Sequence, residues 1–249
     1  SGNYLTNWIY SFHMPLFFFL SGITLKAYRG GWKHYVIKLS KRILIPYFGY
    51  LLLYFLYDFM QVILLHKDIN LVKAFIGIFI QIRGTEYTLG LWFLPLLFIT
   101  EILEYLFVLQ KDKIQIVIMM LIASIGFFYA SIFKQVLPWG IDAVPIAMVF
   151  VWLGYIYKNK FIFKFEYLKR YGLFIILPVL LLSIFWCNCN VTILGTSVDM
   201  HKMLYGNPMI YLLAAINGII FVLLICQMFL SEFNMQLFLI NVISIFYNS

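Results

Sequence analysis
Apolar residues run along this chain in blocks of about twenty, divided by short polar stretches, and the blocks show no alternation of period two. A helix crosses the hydrocarbon core of a bilayer with about 20 mostly apolar residues. Segments of that kind are Trp8–Leu25, Ile43–Leu65, Leu89–Leu109, Ile114–Phe133, Ile141–Tyr157, Tyr171–Cys187 and Met209–Leu230. An incomplete further block begins near Met235. Leu71–Ile82 is apolar but too short to cross, and reads as an interfacial or re-entrant segment. Only helices and closed barrels satisfy their backbone polar groups in lipid, and the missing strand pattern leaves helices. The pattern predicts an all-α, polytopic transmembrane helix bundle of about seven to eight spans. No repeat or linker divides it, so residues 1–249 read as one membrane-embedded domain.

Composition agrees. The 249 residues are 64% hydrophobic and 11% charged, whereas soluble domains run at roughly 45–50% apolar and about 25% charged. A net charge of +8 would suggest a nucleic-acid partner for a soluble protein. In a membrane protein the placement of Lys and Arg matters instead, because they mark cytoplasmic loops. With Lys26–Arg42 cytoplasmic, Gln110–Lys113 and Lys158–Arg170 fall on the same side, and the three loops hold thirteen of the eighteen Lys and Arg. Strict alternation is preserved, so the positive-inside rule is met and no nucleic-acid partner is expected. Cys187, Cys189 and Cys226 have no metal-ligand spacing and no disulfide framework, and no metal site is expected. The start at Ser1, without a signal peptide, and the stop inside an apolar stretch suggest a chain truncated at both ends. Lys outnumbers Arg 14 to 4, a bias that hints at a low-GC bacterium.

The most unusual stretch is Phe12–Gly22, FHMPLFFFLSG. An ionisable residue within a span faces the bundle interior as a rule. His13 lies roughly 8 Å below the outer surface at about 1.5 Å per residue. Pro15 frees a carbonyl near Ser11, and Ser21 with Gly22 permits close helix approach. The segment reads either as a polar site buried in the bundle or as a neutral His satisfied by a neighbouring helix. Glu101 and Glu104 share one helix face near its cytoplasmic end, and read as solvated rather than catalytic.

FHMPLFFFLSG resembles the hallmark segment of the acyltransferase 3 family, membrane enzymes that O-acylate cell-surface sugars. Three further stretches agree in order. Lys38–Tyr47, KLSKRILIPY, is similar to the family's basic cytoplasmic segment running into an Ile-Pro-Tyr helix start. Leu91–Pro95, LWFLP, resembles a Trp-Phe-Leu helix start, and Asp142–Tyr155, ending in Leu-Gly-Tyr, a mid-domain span. The last two, with Val198–Met209, look closest to the branch described as fucose 4-O-acetylase and related acetyltransferases. The family's first helix, with its basic residue and presumed catalytic His, would lie before Ser1, and its last helices are also missing. The family's two Arg three apart stand here as Lys38 and Lys41, with Arg42 adjacent.

The resemblance implies transfer of an acetyl or other acyl group from cytoplasmic acyl-CoA to a hydroxyl of a cell-surface or lipid-linked saccharide, in a bacterial plasma membrane. Acetyl-CoA is the implied donor. Lys38, Lys41 and Arg42 would hold its phosphates, or act only as the positive-inside signal. His13 would be the catalytic imidazole of this chain, or would orient another. Trp92, Asp142 and Asp199 are candidate contacts to the acceptor sugar, Trp92 equally to the pantetheine arm of the donor. Their plainer readings are a membrane-belt indole, a helix N-cap and an outer-loop acid. Two rival readings are a transporter or flippase for a lipid-linked sugar, which should show paired broken helices, and an inactive acyltransferase remnant.

Overall fold
A computed structural model describes residues 3–25, 31–85, 90–108, 112–160, 168–195 and 197–232. The partial block near Met235 lies outside them. Among these residues eight α-helices follow in order: α1 Tyr4–Thr24, α2 Trp32–Leu65, α3 Leu71–Ile80, α4 Phe93–Phe107, α5 Asp112–Ile132, α6 Val144–Lys160, α7 Leu168–Leu194 and α8 Pro208–Glu232. Short 3-10 turns at Pro138–Ala143 and Met200–Lys202 precede α6 and α8. Among the described residues there is no strand, only an isolated bridge between Asp199 and Leu204. The fold is therefore all-helical, as the apolar pattern predicted.

Among the described residues five stretches are long and apolar enough to cross a membrane: Trp32–Leu65, Ile114–Ile132, Pro138–Lys160, Phe174–Leu194 and Pro208–Met228. The protein is a multi-pass membrane protein. The expected first and third spans fall outside this set. Helix α4 has 15 residues, about 22 Å of rise, and α1 carries Asn7, Ser11 and His13 among its apolar residues. Helix α3, at 10 residues, is too short to cross, as expected. Its Asn70 side chain caps the first turn by accepting the N–H of Lys73 at 3.0 Å.

Helix α2 corrects the expected boundary. Its 34 residues begin at Trp32, so the basic stretch Lys38–Arg42 is helical and Pro46 lies inside the helix rather than at its start. Proline removes one donor and frees the carbonyl four residues back, here that of Arg42, but the ladder resumes on both sides.

The chain forms two compact units. The first comprises Ser1–Leu16, Lys160–Val198 and Gly206–Ser249. In it α7 packs along α8, with Ile176 and Leu224 in a cluster that includes Val179, Phe221, Ile225 and Met228. The Trp8 indole donates to Ser183 Oγ at 2.8 Å and sits edge-on to Phe221. A Cβ on Gly218 would strike the buried Phe12 ring. Asn190, fully buried, accepts the N–H of Asn207 at 2.9 Å and pins the turn before α8. The three cysteines are free.

The second unit comprises Phe17–Asn159 with Asp199–Tyr205. Its tightest contact is between the end of α1 and α6. A Cβ on Gly22 would collide with the Val151 carbonyl, and one on Gly154 with the Phe19 carbonyl. The two backbones touch because both positions lack a side chain, the small-residue packing that lipid-embedded helices use. The Lys158 ammonium reaches the Leu25 carbonyl at the end of α1, at 3.4 Å.

Candidate functional site
His13 lies in the first unit, half-buried on α1. Its Nδ1 is 3.1 Å from the Ile9 carbonyl and its ring 4.8 Å from that of Tyr10. A carbonyl only accepts, so Nδ1 is the donor and, in the neutral ring, Nε2 keeps the free lone pair. A neutral ring in that tautomer takes up a proton at Nε2.

The remaining candidates fall into two clusters of the second unit. In one, Arg42 on α2 donates through Nη2 to Glu101 Oε2 on α4 at 2.6 Å. The same carboxylate accepts the Ser21 hydroxyl at 3.0 Å and the Tyr35 hydroxyl at 3.3 Å. Tyr35 stacks on Tyr105 with ring centroids 4.4 Å apart. Lys38 and Lys41 are exposed on α2, and Lys41 and Arg42 follow Lys38 by three and four residues, so the three cations share a helix face. Glu101 and Glu104 are both buried, at 3% and 0% exposure, which corrects the solvated reading. Three donors explain Glu101. Glu104 has no hydrogen-bond partner for either oxygen among the described residues.

The second cluster surrounds Arg83, just beyond α3. Helix α3 ends at Gln81 in the left-handed conformation, with the Gln81 amide donating to the carbonyls of Gly77 and Ile78. Trp139 donates its backbone N–H to the Gln81 carbonyl at 3.0 Å and its indole N–H to that of Phe79 at 2.8 Å. These bonds hold Trp139 at a positive φ of 59°, unusual for a bulky residue. They also lock Phe79–Arg83 against the 3-10 turn that carries Asp142. Arg83 and Asp142 form an ion pair with side-chain exposures of 1% and 0%. Asp142 Oδ1 accepts the Leu137 N–H at 2.9 Å, so Asp142 closes its own turn and does not cap α6. The Arg83 guanidinium lies 5.1 Å from the Trp92 ring and donates to the Met200 carbonyl at 3.3 Å.

Next to Met200 is His201, whose ring meets Trp92 edge-on at 5.2 Å. Asp199 caps this turn by accepting the His201 backbone N–H at 2.9 Å. Burial and then the nearby Arg83 cation hold the His201 pKa below its ordinary value, against the opposite pull of Asp199. Burial raises that of the Tyr205 phenol. The structure therefore brings Trp92, Asp142 and Asp199 into one cluster. Trp92 and Asp142 are buried, at 9% and 5% exposure, and His201 is the half-buried group beside them. Arg83 and His201 were not singled out by sequence. Arg83 is one of only four arginines in a chain with fourteen lysines, and arginine is the cation suited to buried pairing.

Among the described residues no three metal-ligating side chains converge. No match was found among curated proteins, and none among solved structures. A family model described as an acyltransferase domain matches residues 2–246, nearly the whole chain. The helical membrane fold and the ordered motifs agree with it, and the protein is an acyltransferase belonging to the acyltransferase 3 family.

Proposed function
We propose that the protein moves an acetyl group from cytoplasmic acetyl-CoA to a hydroxyl of a cell-surface or lipid-linked saccharide, in the plasma membrane of a bacterium. The observation that carries the donor half is the cation row Lys38, Lys41 and Arg42, exposed on one face of α2. Cations on one helix face suit the phosphates of a nucleotide-bearing thioester, and the density of Lys and Arg between Lys26 and Arg42 supports the cytoplasmic side. The likeness of LWFLP, Asp142–Tyr155 and Val198–Met209 to the fucose 4-O-acetylase branch supports a sugar acceptor, with Trp92, Asp142 and Asp199 shaping its site.

In this reading the acceptor hydroxyl attacks the thioester carbonyl, the CoA thiolate leaves, and the hydroxyl proton passes to an imidazole. His13 serves as that base because its Nδ1 is engaged and its Nε2 is free to accept. Membranes holding the protein, incubated with labelled acetyl-CoA and surface glycan, should transfer label to the glycan. His13→Ala should lower transfer by about 10²–10⁴-fold with the amount of inserted protein unchanged. Glycan that crosses the bilayer without gaining label would instead identify a flippase.

A further inference from the structure
Among the described residues, two ion pairs that include a buried acid are built differently. Arg83 and Asp142 are both sequestered, at 1% and 0% side-chain exposure, as a pair that only holds structure can be. Arg42 and Glu101 are asymmetric: the Glu101 side chain is 4% exposed and that of Arg42 54%. Glu101 cannot follow the guanidinium outward. Its Oε1 accepts from Ser21, and its Oε2 accepts from Tyr35 as well as from Arg42.

A guanidinium has five N–H donors in a planar fork, so one nitrogen given to a carboxylate leaves the others pointing elsewhere. An ammonium offers no such fixed second edge. Arg42 thus combines a buried anchor with an exposed edge, and it shares a helix face with the exposed Lys38 and Lys41. A side chain immobilised before binding loses less rotamer freedom when an anion arrives.

Resting on the donor reading given above, we propose that Glu101 is the positioning residue of the α2 cation row, fixing Arg42 so that its outer edge, together with Lys38 and Lys41, meets the phosphates of a nucleotide-bearing acyl donor. Glu101 touches neither donor nor acceptor. It acts through Arg42, and Tyr35 and Ser21 act through Glu101.

The test measures binding of acetyl-CoA and of S-acetylpantetheine, which keeps the thioester arm and lacks the nucleotide, to the intact protein in detergent. A general loss of structure weakens both ligands alike and leaves the ratio of their affinities unchanged. Glu101→Gln should lower the preference for acetyl-CoA about tenfold, the scale of one charge-assisted contact. Adding Arg42→Gln to it should lower the preference no further than Arg42→Gln alone. Tyr35→Phe, which changes no charge, should lower it about two- to threefold, and carries the test if Glu101→Gln is not recovered from membranes. An unchanged ratio in Glu101→Gln, or in Tyr35→Phe where that variant stands in, overturns the positioning role and leaves the donor reading intact. A parent protein that binds no acetyl-CoA overturns both.

Discussion

At the scale of single residues, the carboxylates and arginines decide the interior. Arg42 and Arg83 each hold a buried acid, Glu101 and Asp142, while Lys38 and Lys41 stay exposed. The rarity of Arg beside so many Lys was legible in the sequence, but its partners were not. Arg83 meets an acid 59 positions away and a carbonyl 117 away, and no local period links them. Removing one member of a buried pair leaves the other charge uncompensated, at about 3–5 kcal/mol. Arg83→Met should therefore lower thermal stability in detergent sharply, and Arg83→Met combined with Asp142→Leu should regain most of the loss. Equal stability of the single and double variants would argue against a buried charge at Asp142. His13 was visible from its motif. Its tautomer was not, because that depends on where the Ile9 carbonyl falls.

At the scale of elements, apolar blocks located the helices well and their ends poorly. Helix α2 begins eleven residues before Ile43, where the expected span started. The basic residues Lys38, Lys41 and Arg42 read as loop by charge, yet a lipid-facing helix can carry cations at its end where they reach water. The Asp142 turn was also missed, since it is made by long-range bonds from Trp139 to α3. The turn at Met200–Lys202 gives a pH-dependent expectation. His201 binds protons less readily in the folded protein than in the unfolded chain, where its ordinary value is 6.5. Above that value the ring is neutral in both states and contributes nothing. As pH falls through it, the unfolded chain takes up a proton that the folded ring resists, so stability declines. Thermal midpoints at pH 7.5 and 5.5 should differ more for the parent than for His201→Gln. An identical difference would show that His201 is not the group responsible.

At the scale of the whole molecule, the membrane character, the all-helical class and the family were legible from sequence, since apolar block length and motif order are properties of the entire chain. The positive-inside count predicts which ends of the helices share a side. A reporter active only in the cytoplasm, fused after Lys160, should be active, and one fused after Gly195 inactive; the reverse pattern would invert the assignment of donor and acceptor sides. The contact of Gly22 and Gly154 with the facing backbones limits what can pass between α1 and α6. With no side chains between them to swing aside, α1 and α6 form a closed seam at that level. In the proposed transfer a thioester arm would pass elsewhere than between α1 and α6 at that level, and Gly154→Leu should unseat the two helices rather than open a passage between them.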